Sequence, residues 1–388
     1  MKIIHTADWH IGKLLNGYSL LADQEALLRD WLNQVVALKP DLVIMSGDLY
    51  DRSLPSAEAT RLVNQLLTEM TQVLTCPICV IAGNHDSADR IDYASDLLAH
   101  HQLYLVGQPS SKPVKIEIDQ ADVYLLPYAS TSALRQVYPQ ATIKNLQDGC
   151  QYQLDLIRDQ WDSGRINIVA YHGYVTAASG DQAGGDLTMS DSERPLEIGT
   201  AEFVPVQAFK GFDYVALGHL HQAQKVANDH IRYAGSLLKY SKSEAYHKKQ
   251  FLEVDLTKDN LLVKSHFFKP VRDLRIIRAN FAELLKDGTS DYVFLELTDK
   301  VLIHDAVNRL RQSYPYLMGM EYINLDFNEE VALEAPTMAE VDLADQDLPN
   351  LFGKFYQQVE GQAMSTRQLD LVKEIYQASQ KEGQDETD

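Results

Sequence analysis

The sequence is poor in cysteine and in long apolar runs. Its only cysteines are Cys76, Cys79 and Cys150, too few for a disulfide framework and typical of a reducing compartment. No stretch approaches the roughly 18 consecutive apolar residues that span a bilayer. The opening residues, Met1 to His5, do not have the pattern of a secretion signal. We therefore expect a cytoplasmic protein that is not inserted in a membrane.

Positive charge is also scarce. Lysine and arginine number 35 against 55 aspartates and glutamates, so the formal net charge is -20. A protein that binds nucleic acid by neutralising phosphates usually carries a basic face. Any nucleic-acid binding here therefore needs a local basic patch, bound metal ions or a partner. The 45% hydrophobic content suffices for a sizeable core, and the length of 388 residues predicts two or three domains.

Short apolar runs alternate with helical stretches over the first two thirds of the chain, the pattern of an α/β or α+β domain. Residues 20–38 have helical periodicity, and Pro40 ends that helix. Residues 173–200 lack periodicity and predict a long functional or mobile loop. The predicted regions are a large first domain (1–268), a small α+β domain (269–328), an acidic linker (329–349), a helical tail (350–380) and a polar end (381–388).

Five short segments combine histidine, aspartate and asparagine, and each follows a predicted strand. They are Asp8-Trp9-His10, Gly47-Asp48-Leu49-Tyr50-Asp51, Gly83-Asn84-His85-Asp86, His172-Gly173 and Gly218-His219-Leu220-His221. Ligands of open α/β sheets collect beyond the carboxyl ends of the strands, so we expect these loops to converge. The spacing of Asp8 and His10 predicts an extended backbone with both side chains on one face. Each segment alone is weak evidence, but the ordered set predicts a dinuclear metal site.

This ordered set resembles the calcineurin-like metallophosphoesterase superfamily over roughly residues 1–245. Further segments are similar to one family within it, the SbcD nuclease subunits of bacterial SbcCD complexes, and all but the first of them lie outside the metal-ligand positions. These segments are His5–Lys13, Ser190–Arg194, Tyr233–Leu237 and Ser243-Glu244. The resemblance implies an α/β fold, a four-layer β-sandwich flanked by helices. A small capping, DNA-binding domain and a helical partner-binding tail would follow it.

Carried over position by position, the resemblance implies two metal ions bridged by Asp48. The other ligands it implies are Asp8, His10 and His221 for the first ion and Asn84, His172 and His219 for the second. His85 corresponds to a catalytic histidine that does not bind metal. Asp51, a second candidate catalytic residue, lies where some relatives carry a second catalytic histidine and bacterial members commonly carry aspartate. Asp51 and Asp86 are also candidates to orient ligand histidines, and turn capping is the alternative for Asp86. Mixed imidazole and carboxylate donors fit Mn²⁺, Fe²⁺ or Zn²⁺ better than Mg²⁺, and the resemblance favours Mn²⁺.

The function implied by the resemblance is that of a metal-dependent DNA nuclease subunit. It would act as a double-strand exonuclease and a single-strand or hairpin endonuclease in DNA repair, recombination and replication. The implied partners are DNA, a second copy of the chain, and an SbcC-type ATPase with which the dimer forms a heterotetramer. Lys13, Lys239 and Lys242 are candidate contacts to the DNA backbone, although solvated lysines are the alternative. Apolar helix faces in residues 351–376 predict a docking tail, or packing onto the chain's own domains.

Two other classes of function stay open. One is a different hydrolase on the same fold, acting on phosphomonoesters or cyclic nucleotides. The accessory module and tail argue against it, because a small substrate has less need of them. The other is a binding protein that has lost the chemistry, against which the full ligand set and His85 weigh.

Overall fold

A computed structural model describes residues 1–177, 187–193, 203–325, 352, 356 and 364–373. Residues 1–325 form one compact unit and residues 326–388 a second. In the second unit, residues 366–373 are helical, within the predicted tail. The predicted acidic linker, the polar end and most of the remaining predicted tail lie outside the described residues, as do 178–186 and 194–200 of the predicted loop.

The elements are numbered along the chain. The strands are β1 (Lys2–Thr6), β2 (Leu14–Leu15), β3 (Tyr18–Ser19), β4 (Leu42–Ser46), β5 (Ile78–Ile81), β6 (Leu103–Val106), β7 (Val114–Ile118), β8 (Ala121–Leu126), β9 (Ile166–His172), β10 (Tyr174–Thr176), β11 (Phe203–Pro205), β12 (Tyr214–Gly218), β13 (Gln224–Val226), β14 (Asn228–Tyr233), β15 (Gln250–Leu256), β16 (Leu261–Phe267), β17 (Leu274–Ala279), β18 (Tyr292–Leu297) and β19 (Leu317–Tyr322). The α-helices of the first unit are α1 (Leu21–Leu38), α2 (Ala57–Val73), α3 (Ala88–Ile91), α4 (Ser95–Ala99), α5 (Thr131–Val137), α6 (Leu146–Arg158), α7 (Phe281–Leu284) and α8 (Ala306–Arg311). Among the described residues, no helix has the length and apolar character that a membrane crossing requires.

Two six-stranded sheets form the body of the first unit. Their strand orders are β16-β15-β1-β4-β5-β6 and β13-β14-β12-β9-β8-β7. In the first sheet, β1, β4, β5 and β6 are parallel, and in the second so are β8, β9, β12 and β14. Parallel neighbours are joined by crossover connections, so their carboxyl ends lie at the same edge of the sheet. The loops that follow these strands therefore share one edge.

The side chains of each strand alternate between two hydrophobic layers, as the twofold repeat of a strand requires. Ile3 of β1 packs between the two sheets against residues such as Ile168. Its neighbour Ile4 packs on the outer face of the first sheet, in a core shared with α1 and α2. On the outer face of the second sheet, Val169 packs against Leu154 of α6. This order of layers, helix, sheet, sheet and helix, confirms the predicted fold class.

A three-stranded parallel sheet, β17-β18-β19, lies at the end of the first unit with α7 and α8. Its own small core includes Phe281, Val293 and Leu310. Arg272, just before β17, donates to Asp23 of α1 over 2.7 Å, and this ion pair connects the module to the first sheet's helical layer. Because the module belongs to the compact unit 1–325, the predicted boundary at residue 268 stays a prediction.

Candidate metal centre

The five segments singled out in the sequence lie together at the carboxyl-terminal edge of the two sheets. Three of them follow the adjacent strands β1, β4 and β5 of the first sheet. The other two end the adjacent strands β9 and β12 of the second sheet, where Gly218 is paired with His172. The site is therefore formed between two packed sheets, and each sheet contributes neighbouring loops.

The backbone at these segments differs from the extended conformation predicted for Asp8 and His10. Their φ angles are 53° and 46°, and Asp48 has a similar φ of 54°. Such left-handed conformations are uncommon outside glycine and persist where the surroundings impose them. Here Asp8 N donates to Gly47 O over 3.0 Å and His10 N to Asp48 O over 2.9 Å. The prediction of an extended backbone was wrong, because β1 ends at Thr6 and the two loops hydrogen bond to each other.

Asp48 lies at the centre of the ligand cluster. Its Oδ2 is 3.6 Å from His10 Nε2 and 3.5 Å from His172 Nε2. Its other oxygen, Oδ1, accepts the backbone N–H of His85 over 2.8 Å, which fixes the rotation of the carboxylate. Oδ2 therefore faces imidazoles from both sheets, as a ligand that bridges two metal ions would.

The first group of ligands surrounds His10. The Nε2 atoms of His10 and His221 approach to 3.0 Å. Oxygen atoms of Asp8 and Asp48 lie within 4.8 Å of a ring nitrogen of His10 and of each other. The carboxylate of Asp8 is held by the backbone N–H of His219, at 2.9 and 3.1 Å. Two carboxylates and two imidazoles thus converge on one small volume.

The second group surrounds Asn84. Its Oδ1 is 3.0 Å from His172 Nε2 and 3.0 Å from His219 Nδ1. Asp48 completes the group, because its oxygen, a nitrogen of His172 and a nitrogen of His219 all lie within 4.8 Å of one another. Every residue that the resemblance implied as a metal ligand is therefore present in one of the two groups.

The far ring nitrogen of His172, the one turned away from the cluster, has a partner that sets the tautomer. His172 Nδ1 is 2.9 Å from the carbonyl oxygen of Ser46. A carbonyl oxygen only accepts, so Nδ1 carries the hydrogen and Nε2 presents its lone pair to the cluster. A hydrogen-bonded partner on the far nitrogen is a regular feature of metal-binding histidines.

Burial removes charge from the cluster when no cation is bound. It lowers the pKa of His172 to about 4, and it lowers the pKa values of His10 and His219 well below that of an ordinary histidine. Burial, together with the nearby Asp48, raises the pKa of Asp8 well above its ordinary value. Neutral imidazoles present lone pairs, and crowded carboxylates need compensating positive charge. This electrostatic environment suits divalent cations.

Glycines let the loops approach closely enough to form the cluster. A Cβ atom on Gly83 would lie 2.2 Å from Asp48 Oδ1, and one on Gly218 would lie 1.8 Å from Ser46 O. A Cβ on Gly47, whose φ is +92°, would lie 2.2 Å from His172 Nδ1. The compact donor set, with its bridging carboxylate and mixed nitrogen and oxygen atoms, fits two transition-metal ions.

His85 lies beside the ligands and is 5% exposed. Its Nδ1 donates to the carbonyl oxygen of Asp51 over 2.8 Å, and its ring packs edge-on to that of His10 at 4.7 Å between centroids. The carboxylate of Asp51 forms an ion pair with Lys13 at 2.9 Å. Asp51 therefore orients His85 through its backbone, and Lys13 lies at the margin of the site.

Asp86 and the other two candidate lysines have structural partners. The carboxylate of Asp86 accepts backbone N–H groups of both neighbouring loops, from Leu49, Tyr50 and Gly83. Lys239 forms an ion pair with Asp273 at 2.8 Å. Lys242 forms ion pairs with Glu296 at 2.9 Å and Glu321 at 2.5 Å. Both lysines thus connect to the C-terminal module, and their contact with DNA stays a prediction.

Two residues around His221 were not identified as functional from the sequence. Glu193 Oε1 accepts the backbone N–H of His221 over 2.7 Å, and Glu244 Oε1 is 3.1 Å from His221 Nδ1. Burial alone would raise the pKa of Glu244, but Lys249 and His221 hold it well below its ordinary value. Both glutamates lie in segments noted only for their resemblance to one nuclease family, which was the one available signal.

Two family models match the chain. A model of the calcineurin-like phosphoesterases matches residues 1–223. An SbcD C-terminal model, described as the type 5 capsule protein repressor C-terminal domain, matches residues 270–360. A curated relative is the SbcD subunit of the SbcCD nuclease of Staphylococcus epidermidis (strain ATCC 12228 / FDA PCI 1200). It is 33% identical over 381 residues, which cover 97% of this chain and 98% of that protein.

Two solved structures align with about two thirds of the chain. A dimetal phosphatase from Danio rerio aligns with a TM-score of 0.43 and 12% identity, covering 70% of this chain and 98% of that one. The protein TT1561 of Thermus thermophilus aligns with a TM-score of 0.40 and 12% identity, covering 68% of this chain and 98% of that one.

Proposed function

Because the chain belongs to the SbcD family of calcineurin-like phosphoesterases, we propose that it is the metal-dependent nuclease subunit of a DNA-processing complex. Its reaction is the hydrolysis of DNA phosphodiesters with two metal ions, most simply Mn²⁺. It acts as an exonuclease on double strands and as an endonuclease on single strands and hairpins. Its biological setting is DNA repair, recombination and replication, and we expect it in the cytoplasm, where bacterial DNA lies.

The observation that carries this proposal is the position of Asp48 Oδ2, between His10 Nε2 at 3.6 Å and His172 Nε2 at 3.5 Å. Asp8, His10 and His221 would hold the first ion with Asp48. Asn84, His172 and His219 would hold the second. Two ions held there would clamp the phosphate and lower the pKa of a coordinated water. Their four positive charges would act locally, at the place where DNA must bind, against the acidic balance of a chain whose net charge is -20.

The residues of the chain have separate tasks in the reaction. Asp48 is fixed by the N–H of His85, so its free oxygen stays between the two ligand groups. His85 is fixed at Nδ1 by the carbonyl of Asp51, which leaves Nε2 as the ring atom that can hold or deliver a proton. We assign to this atom the protonation of the leaving oxygen. Lys13, paired with Asp51, adds positive charge at the margin of the site and is a candidate contact to the DNA backbone.

The partner proposed for the chain is an SbcC-type ATPase, since the curated relative is a subunit of a complex named SbcCD. A dimer of this chain would form the heterotetramer with it.

Two helical segments of the first domain are candidates for the contact between the two copies. On α2, Leu62, Leu66 and Met70 are buried in the chain's own core. Tyr93 and Leu97, in the segment that contains α3 and α4, are 80% and 65% exposed. This segment is therefore the better candidate for contact with a second copy.

The test is degradation of end-labelled duplex DNA by the purified full chain with Mn²⁺, in parallel with a chelator control. We expect degradation that the chelator abolishes. Hydrolysis of bis-(p-nitrophenyl) phosphate without DNA cleavage, even when the ATPase partner is added, would contradict the proposed substrate. It would favour a hydrolase of small phosphoesters on the same fold.

A further inference from the structure

A buried ion pair lies behind His221, outside the set of metal ligands. Glu244 is fully buried and Lys249 is 9% exposed. Lys249 Nζ is 2.5 Å from Glu244 Oε2. The pair contacts His221 at two points, because Glu244 Oε1 lies 3.1 Å from the ring Nδ1 and Lys249 Nζ donates to the backbone oxygen over 2.8 Å. Lys249 also donates to Ser236 Oγ over 2.8 Å.

A pair of this kind is not an efficient way to stabilise a fold. Burying both ions carries a large desolvation cost, and apolar residues of similar volume often stabilise as much or more. The contacts of Glu244 with His221 suggest a different task. An ionised carboxylate can only accept a hydrogen bond, so His221 Nδ1 must be the donor. The lone pair of His221 then lies on Nε2, the atom that faces His10 Nε2.

The neighbouring Ser192 cannot fix the tautomer in the same way. Its Oγ lies 2.8 Å from His221 Nδ1, but a hydroxyl group either donates or accepts. This hydroxyl also contacts Glu244 Oε1, so its orientation depends on the carboxylate as well. Glu244 therefore determines the direction of its hydrogen bonds with His221 Nδ1 and with Ser192 Oγ.

We propose that Glu244 and Lys249 are positioning residues for the first metal ion: the carboxylate fixes the ring of His221, and the ammonium group holds that carboxylate and the backbone of His221. This inference rests on the proposed metal centre. It also distinguishes the two ions, because the corresponding nitrogen of His172 is fixed by the carbonyl of Ser46 and needs no charged side chain.

The experiment measures Mn²⁺ binding to the metal-free full chain, without DNA, from the electron paramagnetic resonance signal of free Mn²⁺. The variant Glu244→Leu/Lys249→Met removes both charges and the acceptor while roughly keeping the volume. We expect one of the two ions to bind about 10- to 100-fold more weakly, the usual cost of losing such a partner. The second ion should keep an affinity close to that of the wild type.

A milder variant, Glu244→Gln/Lys249→Met, keeps an acceptor oxygen, and we expect it to recover part of the affinity. It also serves if the leucine variant does not fold, since it should still bind the first ion more weakly than the wild type. The control is Asp122→Asn/Arg165→Met, which removes another ion pair with a buried carboxylate, at 2.7 Å. In the sheet, Asp122 is paired with Asn167 of β9. Asn167 lies five residues before His172, so the two are about 16 Å apart along the strand. We expect this control to bind both ions normally.

Folded Glu244 variants that bind both ions as tightly as the wild type would overturn the positioning role while leaving the metal centre intact. Wild-type protein that binds no Mn²⁺ would overturn the metal centre and this inference together. The two failures are therefore distinguishable in one titration series.

Discussion

Replacement of His85 by alanine separates catalysis from metal binding. The backbone N–H of residue 85 remains in the variant, so Asp48 Oδ1 keeps its hydrogen bond and Oδ2 keeps its place between the two ligand groups. The variant loses only the imidazole, which donates to Asp51 O and packs against His10. We therefore expect His85→Ala to bind Mn²⁺ like the wild type.

The size of the effect follows from the task assigned to the ring. A positioned acid or base contributes about 100- to 10,000-fold to a rate. At about 1.4 kcal/mol for each factor of ten, this corresponds to a barrier higher by about 2.8 to 5.6 kcal/mol. We expect the loss in the turnover rate on DNA at saturating Mn²⁺, because the ligand set is intact.

The assay is single-turnover cleavage of end-labelled duplex DNA, run beside a Mn²⁺ titration of the same preparation. His101→Ala is the matched control, because His101 is exposed and lies just before β6, at the opposite end of the parallel strands from the ligand loops. A His85→Ala variant that cleaves DNA at the wild-type rate would refute the proton-transfer role. A variant that no longer binds Mn²⁺ would refute the separation of this residue from the ligand set.

Two further predictions concern Mn²⁺ binding and the pH dependence of stability. Gly83→Ala should weaken Mn²⁺ binding at least about tenfold, the lower end of the usual effect of disturbing a ligand's support, because its Cβ would lie 2.2 Å from Asp48 Oδ1. Gly164→Ala, with its nearest contact at 3.2 Å, should bind normally, and equal affinities would contradict the clash. Burial lowers the pKa of His5 to about 3, whereas an unfolded chain takes up this proton near pH 6.5. His5 therefore contributes its full stability above pH 6.5. Below that pH, the free energy of unfolding falls by up to about 1.4 kcal/mol per pH unit. Denaturant unfolding of metal-free His5→Gln should therefore show a shallower loss of stability between pH 6.5 and 5, and an unchanged slope would contradict this reasoning.

The fold class and the meeting of the five loops could be predicted because they follow from local rules. Apolar strands alternating with amphipathic helices require parallel strands, and parallel strands place their following loops at one edge. The helix over residues 20–38 was predictable from its periodicity and from Pro40, and α1 spans Leu21–Leu38. These signals lie within a few residues of the feature they predict.

Contacts between distant segments could not be predicted in the same way. The left-handed backbone at Asp8 and His10 depends on hydrogen bonds to the loop after β4, which no local preference reveals. From the sequence, Lys239 and Lys242 were either contacts to the DNA backbone or solvated lysines. The structure adds ion pairs with Asp273, Glu296 and Glu321 of the C-terminal module. Only the assembled sheets bring these groups together.

The partner of His221 illustrates the same limit at the site. From the sequence, Asp51 and Asp86 were candidates to orient ligand histidines, with turn capping the alternative for Asp86. Asp86 instead accepts backbone N–H groups of the two loops, while Glu244 contacts His221 Nδ1. No local pattern singled out Glu244, since it and His221 are brought together only by the fold.

The central claim, that Asp48 bridges two metal ions, is tested most directly by metal analysis of wild type and Asp48→Ala. Each protein is loaded with Mn²⁺, freed of excess ions by gel filtration and analysed for bound metal per chain. We predict two ions in the wild type and loss of metal in the variant, because both ligand groups lose a shared oxygen. Full occupancy in Asp48→Ala would contradict the bridging assignment.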